Sequence, residues 1–126
     1  MRKLSILIVD DAPDVCSLLA HWLRAHHTAC VYSGADALTA VTLLHFDLVI
    51  TDIVMPGMEG IETIKQIRRF RPNIKIIAIS GSASRDVYLN ASSKLGAQAI
   101  LDKPFRGAEL RDLVKRVLSE QGAEPE

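Results

Sequence analysis

Short apolar runs alternate with amphipathic stripes along the whole chain, and no other feature narrows the fold as far. The runs are LSILIV at 4–9, TACVY at 28–32, DLVIT at 47–51, IKIIAIS at 74–80 and AQAIL at 97–101. The interior ones are continuously apolar rather than alternating, which is what strands buried on both faces require. The first stripe, Val15, Leu18, Leu19, Trp22 and Leu23, has helical spacing, and Pro13 suits its first turn. A second helix is predicted from about Ala35, carrying Leu38, Val41 and Leu44, with Ser33 and Asp36 spaced as a capping box. Ile61, Ile64 and Ile67 mark a third, which Pro72 stops. The segment 84–96 gives the weakest helix, with Val87, Ala91 and Leu95 in line and Gly96 as its C-cap. Leu110, Leu113, Val114, Val117 and Leu118 give the clearest one. Five strands alternating with five helices imply an α/β fold, a doubly wound parallel sheet with helices on both faces.

The 126 residues suffice for one domain with one core. Fifteen basic residues balance fifteen acidic ones, so bulk charge favours neither nucleic acid nor an anionic membrane as a direct partner. The apolar run near the N-terminus is too short for a signal peptide and ends in two acids, so it reads as a strand, and no segment approaches a membrane span. Cys16 and Cys30 fit neither a metal pattern nor a disulfide framework and read as reduced thiols in a cytoplasmic protein. His21, His26, His27 and His45 lack the spacing of a metal set; His26 and His27 suit a helix C-terminus. Arg68 to Arg71 reads as helix-surface charge, and Met55, Met58 and Trp22 as packing.

Ligands in open parallel sheets bind beyond the carboxyl ends of the strands. There the chain places Asp10 and Asp11 after the first strand, Asp52 after the third, Ser80 after the fourth and Lys103 past the fifth. Taken singly, each reads as a cap, turn or surface residue. Together they put three carboxylates, a hydroxyl and an ammonium on one edge. Partly desolvated carboxylates that close together either protonate or share a cation, and an all-oxygen set suits a hard ion such as Mg²⁺. Lys103 and Ser80 then suit a second anion, a phosphoryl group, with Asp52 as the nucleophile that becomes an acyl phosphate.

ILIVDD, DLVITDIVMPGMEG, IIAISG and AILDKPF, in this order and spacing, resemble the receiver domain of two-component response regulators over residues 4–118. The resemblance implies a flavodoxin-like, CheY-like strand order 2-1-3-4-5, a receiver domain over 1–118, and a polar tail or the start of a linker over 119–126. It implies Asp52 as phosphoacceptor, served by a sensor histidine kinase or phosphotransfer protein. Asp11, Asp52 and the Val54 backbone carbonyl would ligate Mg²⁺, with Asp10 holding a metal-bound water. Lys103 would pair with one phosphoryl oxygen and Ser80 would turn to another; the Lys103–Pro104 bond is similar to one that is cis in the family. The output would be a changed surface within 84–118 that meets a downstream protein or a fused output domain, not an enzymatic activity.

One position departs. Receivers carry Tyr or Phe three residues before the lysine, and here it is Ile100, which has no hydroxyl and sweeps less volume, so transmission of the signal differs while the chemistry survives. The alternative is a receiver-shaped interaction module that is never phosphorylated. A haloacid dehalogenase-type phosphatase is disfavoured because its D-x-D pattern is missing at Asp10–Asp11, and an FMN carrier because DDAPD would repel a phosphate.

Overall fold

The three central apolar runs, at 4–9, 47–51 and 74–80, leave no polar face to turn toward water, so the sheet they form is covered on both sides. A computed structural model describes residues 3–53, 59–81 and 97–120. Its elements are β1 (Ser5–Val9), α1 (Pro13–Trp22), β2 (His27–Val31), α2 (Gly34–Leu43), β3 (Leu48–Asp52), α3 (Glu59–Phe70), β4 (Lys75–Gly81), β5 (Ala99–Lys103) and α4 (Gly107–Glu120). All neighbouring strands are parallel, in the order β2-β1-β3-β4-β5. The expected helix over 84–96 and its cap Gly96 lie outside the described residues, as do Met55 and Met58; among the described residues there are four helices.

Side chains alternate across the sheet into two cores. One face places Ile6, Ile8, Ile50, Ile77 and Ile79 against α1 and α4, which contribute Leu19, Leu23, Leu110 and Val114. The other places Leu7, Val9, Val49, Ile76 and Ala78 against α2 and α3, which contribute Val41, Ile64 and Ile67. Burying an aliphatic side chain of this size stabilises by about 1.5–3 kcal/mol, so the two cores dominate folding.

Two apolar positions of the expected stripes face water instead. Leu18 is 45% and Leu44 59% exposed. Cys16 takes the buried place on α1 that Leu18 was expected to fill, and α2 ends at Leu43, so Leu44 is already an extended C-cap outside the stripe. The α2 N-cap is as expected: Ser33 Oγ accepts from the Asp36 N–H at 3.1 Å. His26 is different in character from a charged dipole partner. Its Nδ1 accepts the Leu4 N–H at 3.2 Å, and burial, with His27 and Lys3 nearby, lowers its pKa, which keeps the ring neutral. Arg68 likewise has a local task rather than being surface charge alone: its Nη1 donates to the carbonyls of Pro72 and Ile74, pinning the approach to β4.

Trp22 closes α1 against the start of α4. Its ring meets Phe105 edge to face at 5.9 Å, and Gly107 packs so tightly that a Cβ there would lie 2.9 Å from two indole carbons. Alanine favours a helix over glycine by about 1 kcal/mol, but the rigid indole must move to admit it. Gly107→Ala is therefore expected to lower stability by about 1 kcal/mol and to shift the emission of the only tryptophan, read by fluorescence during urea unfolding.

Candidate functional site

β1, β3, β4 and β5 end together at one edge of the sheet, and their last residues carry the polar groups. Asp10 follows β1, Asp52 ends β3, Ser80 and Gly81 end β4, and Lys103 ends β5. Asp10, Asp52 and Ser80 are buried, unusually for such residues. Strand parity decides which of them meet. Asp52 pairs in register with Ile79, and Lys103 with Gly81, on the face of α1 and α4. Lys103 Nζ donates to Asp52 Oδ2 at 2.9 Å, an ion pair whose carboxylate is 5% exposed. Such a bond to a charged acceptor is strong where water is excluded.

Asp10 lies beside this pair. Its Oδ1 accepts the Ala12 N–H at 2.9 Å, while Oδ2 is buried with no hydrogen-bond partner among the described residues. Burial pushes the Asp10 carboxyl above its ordinary value; the Ala12 N–H pulls it down, and the Asp52 carboxylate pushes it up again. A buried, repelled carboxylate oxygen is where an added cation would be most welcome.

The remaining expected residues are placed less closely. Asp11 sits exposed at the bend after β1, and among the described residues no three His, Cys, Asp or Glu side chains gather into a metal-holding group. Val54 lies outside the described residues. Ser80 shares a face with Ala78, its hydroxyl donating to the Gly81 carbonyl at 3.1 Å rather than to Asp52. Ile100, the register partner of Ala78, is half-buried against the α2 and α3 core. The Lys103–Pro104 bond is cis.

Two neighbours of the site were not expected. The Cys16 thiol, pushed up to about 12 by burial and then by Cys30, stays protonated and points at the Asp10 carbonyl, 3.6 Å away. Gly60, in the first turn of α3, lies so near β3 that a Cβ would be 2.3 Å from Ile53 Cα and 2.7 Å from the Asp52 carbonyl oxygen. A glycine inside a helix, where it is unfavourable, was the available signal for that close approach.

A sequence model of the family described as response regulator receiver domain matches residues 6–115. The chain belongs to this family. Receiver domains are signalling modules of two-component systems rather than typical enzymes, and the strand order described above is that of CheY-like proteins. A CheY-like receiver domain protein from Methanospirillum hungatei has a TM-score of 0.89 at 28% identity, covering 98% of this receiver and 100% of that chain. Sporulation initiation phosphotransferase F of Bacillus subtilis is 36% identical over 120 residues, 94% of this chain and 96% of that one. Transcriptional regulatory protein ZraR of Salmonella typhimurium is 37% identical over 127 residues, covering 97% of the receiver but 29% of the regulator. The chain thus spans less than a third of the ZraR length.

Proposed function

We propose that this receiver accepts a phosphoryl group on Asp52 from a phosphohistidine of a sensor histidine kinase or phosphotransfer protein. The single observation that carries the reading is the buried Asp52 carboxylate held 2.9 Å from Lys103, with the orphaned Asp10 oxygen beside it. In the transfer a carboxylate oxygen of Asp52 forms the new O–P bond, the P–N bond breaks, and its electron pair leaves on the imidazole nitrogen. Lys103, already at the carboxylate, follows the negative charge onto a phosphoryl oxygen. Ser80 gives up its bond to the Gly81 carbonyl and donates to another.

The donor set fits Mg²⁺: all oxygens, with one buried oxygen lacking a partner among the described residues. Asp11, Asp52 and the Val54 carbonyl would hold the ion and Asp10 a water on it; when bound, Mg²⁺ supplies the positive charge that lets carboxylates and phosphoryl oxygens approach. The receiver unit covers residues 1–118, with 119–126 a polar tail or the start of a linker, in a cytoplasmic protein. Phosphorylation biases a two-state surface within 84–118 that meets a downstream protein or a fused output domain. The relation to a phosphotransferase matched over nearly its whole length supports phosphoryl handling by a chain of this size.

Ile100 favours a second reading, an interaction module that is never phosphorylated, because a half-buried isoleucine lacks the aromatic ring and hydroxyl of the usual switch. Intact mass after incubation with acetyl phosphate and Mg²⁺ separates the two. The receiver reading expects one added phosphoryl group, lost with chelator and lost in Asp52→Asn. No gain in the wild-type chain, with Mg²⁺ binding intact, selects the interaction module.

A further inference from the structure

The amino edge of the sheet, opposite the phosphoacceptor, has a cavity of about 510 Å³ that the signalling chemistry does not use. It opens where three strands begin, with Leu4 before β1, Asp47 before β3 and Lys75 starting β4. Its size lies in the range of sites for small organic ligands. The lining is mixed: Phe70 and Leu118 offer apolar surface, Phe46 and Ile74 reach it only at their edges, and polar side chains supply the larger part. Phe70 is 51% exposed.

The polar lining is not balanced. Asp47 is the only acid among its described lining residues, and both of its oxygens are engaged: Oδ2 accepts the Ser5 N–H at 2.8 Å and Oδ1 faces His45 Nε2 at 3.3 Å. Arg71 and Lys75, also lining the cavity, form no ion pair among the described residues. A hollow of mixed lining, with an exposed phenyl ring and two cations that have no ion pair among the described residues, attracts a molecule with an apolar body and one negative charge. A cationic amphiphile would meet repulsion there, and an inorganic anion would leave the Phe70 ring uncovered.

We propose that this cavity is a binding site for a small amphipathic anion of the arylalkyl carboxylate class, seated with its ring on Phe70 and its carboxylate toward Arg71 and Lys75. The site is separate from Asp52, so it stands or falls independently of phosphorylation.

The test uses the full chain with anilinonaphthalene sulfonate as fluorescent probe, displaced by phenylbutyrate or by phenylbutylamine, which have the same apolar body and opposite charge. Saturable binding is expected, with phenylbutyrate displacing the probe at least about tenfold better than the amine. Arg71→Gln with Lys75→Gln is expected to weaken probe binding about fivefold, and Phe70→Ser comparably, while Lys115→Gln, at a residue lining a separate hollow beside Trp22 and His26, changes nothing. These substitutions are at the surface, and a melting curve of each confirms the fold. Equal displacement by acid and amine would overturn the proposal, as would unchanged binding in the double variant. A gain in probe affinity on deleting 121–126 would make the chain's own end the occupant. Self-association abolished by Phe70→Ser would make it a second copy. Either result overturns a small-anion site.

Discussion

Gly60→Ala is expected to lower the unfolding free energy by about 3 kcal/mol, the upper end of overpacking penalties, and the melting temperature by roughly 10–15 °C. The added carbon would fall 2.3 Å from Ile53 Cα and 2.7 Å from the Asp52 carbonyl oxygen. Both are backbone atoms, so no side-chain rotation relieves the clash. Either α3 lifts from β3 or the end of β3 shifts, and the second moves Asp52 itself. The gain of about 1 kcal/mol in helix propensity does not offset this. Gly81→Ala is the matching control, since a Cβ there meets nothing within 4 Å, although it too lies at the edge. Thermal and urea unfolding of both variants, with phosphorylation of each, read the result. A Gly60→Ala protein as stable as the parent would show that the contact between α3 and β3 is loose and that the glycine serves no steric purpose.

That contact also marks where sequence reading stops. The strands were legible because a run such as ILIV admits no amphipathic alternative, and the parallel order followed from the helical stripes between them. Strand ends were less so. β5 runs from Ala99 to Lys103, two residues later than its apolar run at 97–101, because the ladder with β4 continues through Asp102 and Lys103 regardless of their polarity. α4 likewise continues through Ser119 and Glu120 after its apolar stripe ends. Leu18 and Leu44 show the limit of a stripe: periodicity says which residues share a face, not how wide the cover over that face is.

At the site, the sequence placed five polar residues on one edge, and the structure sorts them by parity. Asp10, Asp52 and Lys103 come together, while Ser80 is turned to the face it shares with Ala78 and Ile100. The Ser80 hydroxyl bonds its neighbour's carbonyl here, and under the proposed phosphorylation it would have to reach across the edge, a second arrangement of the kind a switch needs. The tight approach of Gly60 and the Cys16 thiol over the Asp10 carbonyl were not legible, since both depend on how a helix seats on a sheet rather than on any local pattern.

Asp10→Asn is expected to stabilise the metal-free protein at neutral pH by about 1–2 kcal/mol, the usual cost of a buried polar group lacking a partner. The Asp10 carboxyl has a raised pKa in the folded chain, caused first by burial and then by Asp52. The folded state therefore holds a proton that the unfolded state has already released. Stability contributed at this position is fully present below the ordinary value of 3.8 and is lost as pH rises toward the folded value. Asparagine keeps the oxygen that accepts the Ala12 N–H at 2.9 Å and removes the charge facing Asp52. The advantage of the variant should thus appear as pH rises above the ordinary carboxylate range, hold at neutral pH and vanish in acid. Millimolar Mg²⁺ should reverse the order, since a cation bound only by the folded wild-type chain adds about 1–3 kcal/mol. Urea unfolding of both proteins across pH, with chelator and with Mg²⁺, measures all of this. Coincident curves in chelator would mean that water reaches the Asp10 oxygens well enough to remove the repulsion, and the case for a cation at this edge would lose its electrostatic footing.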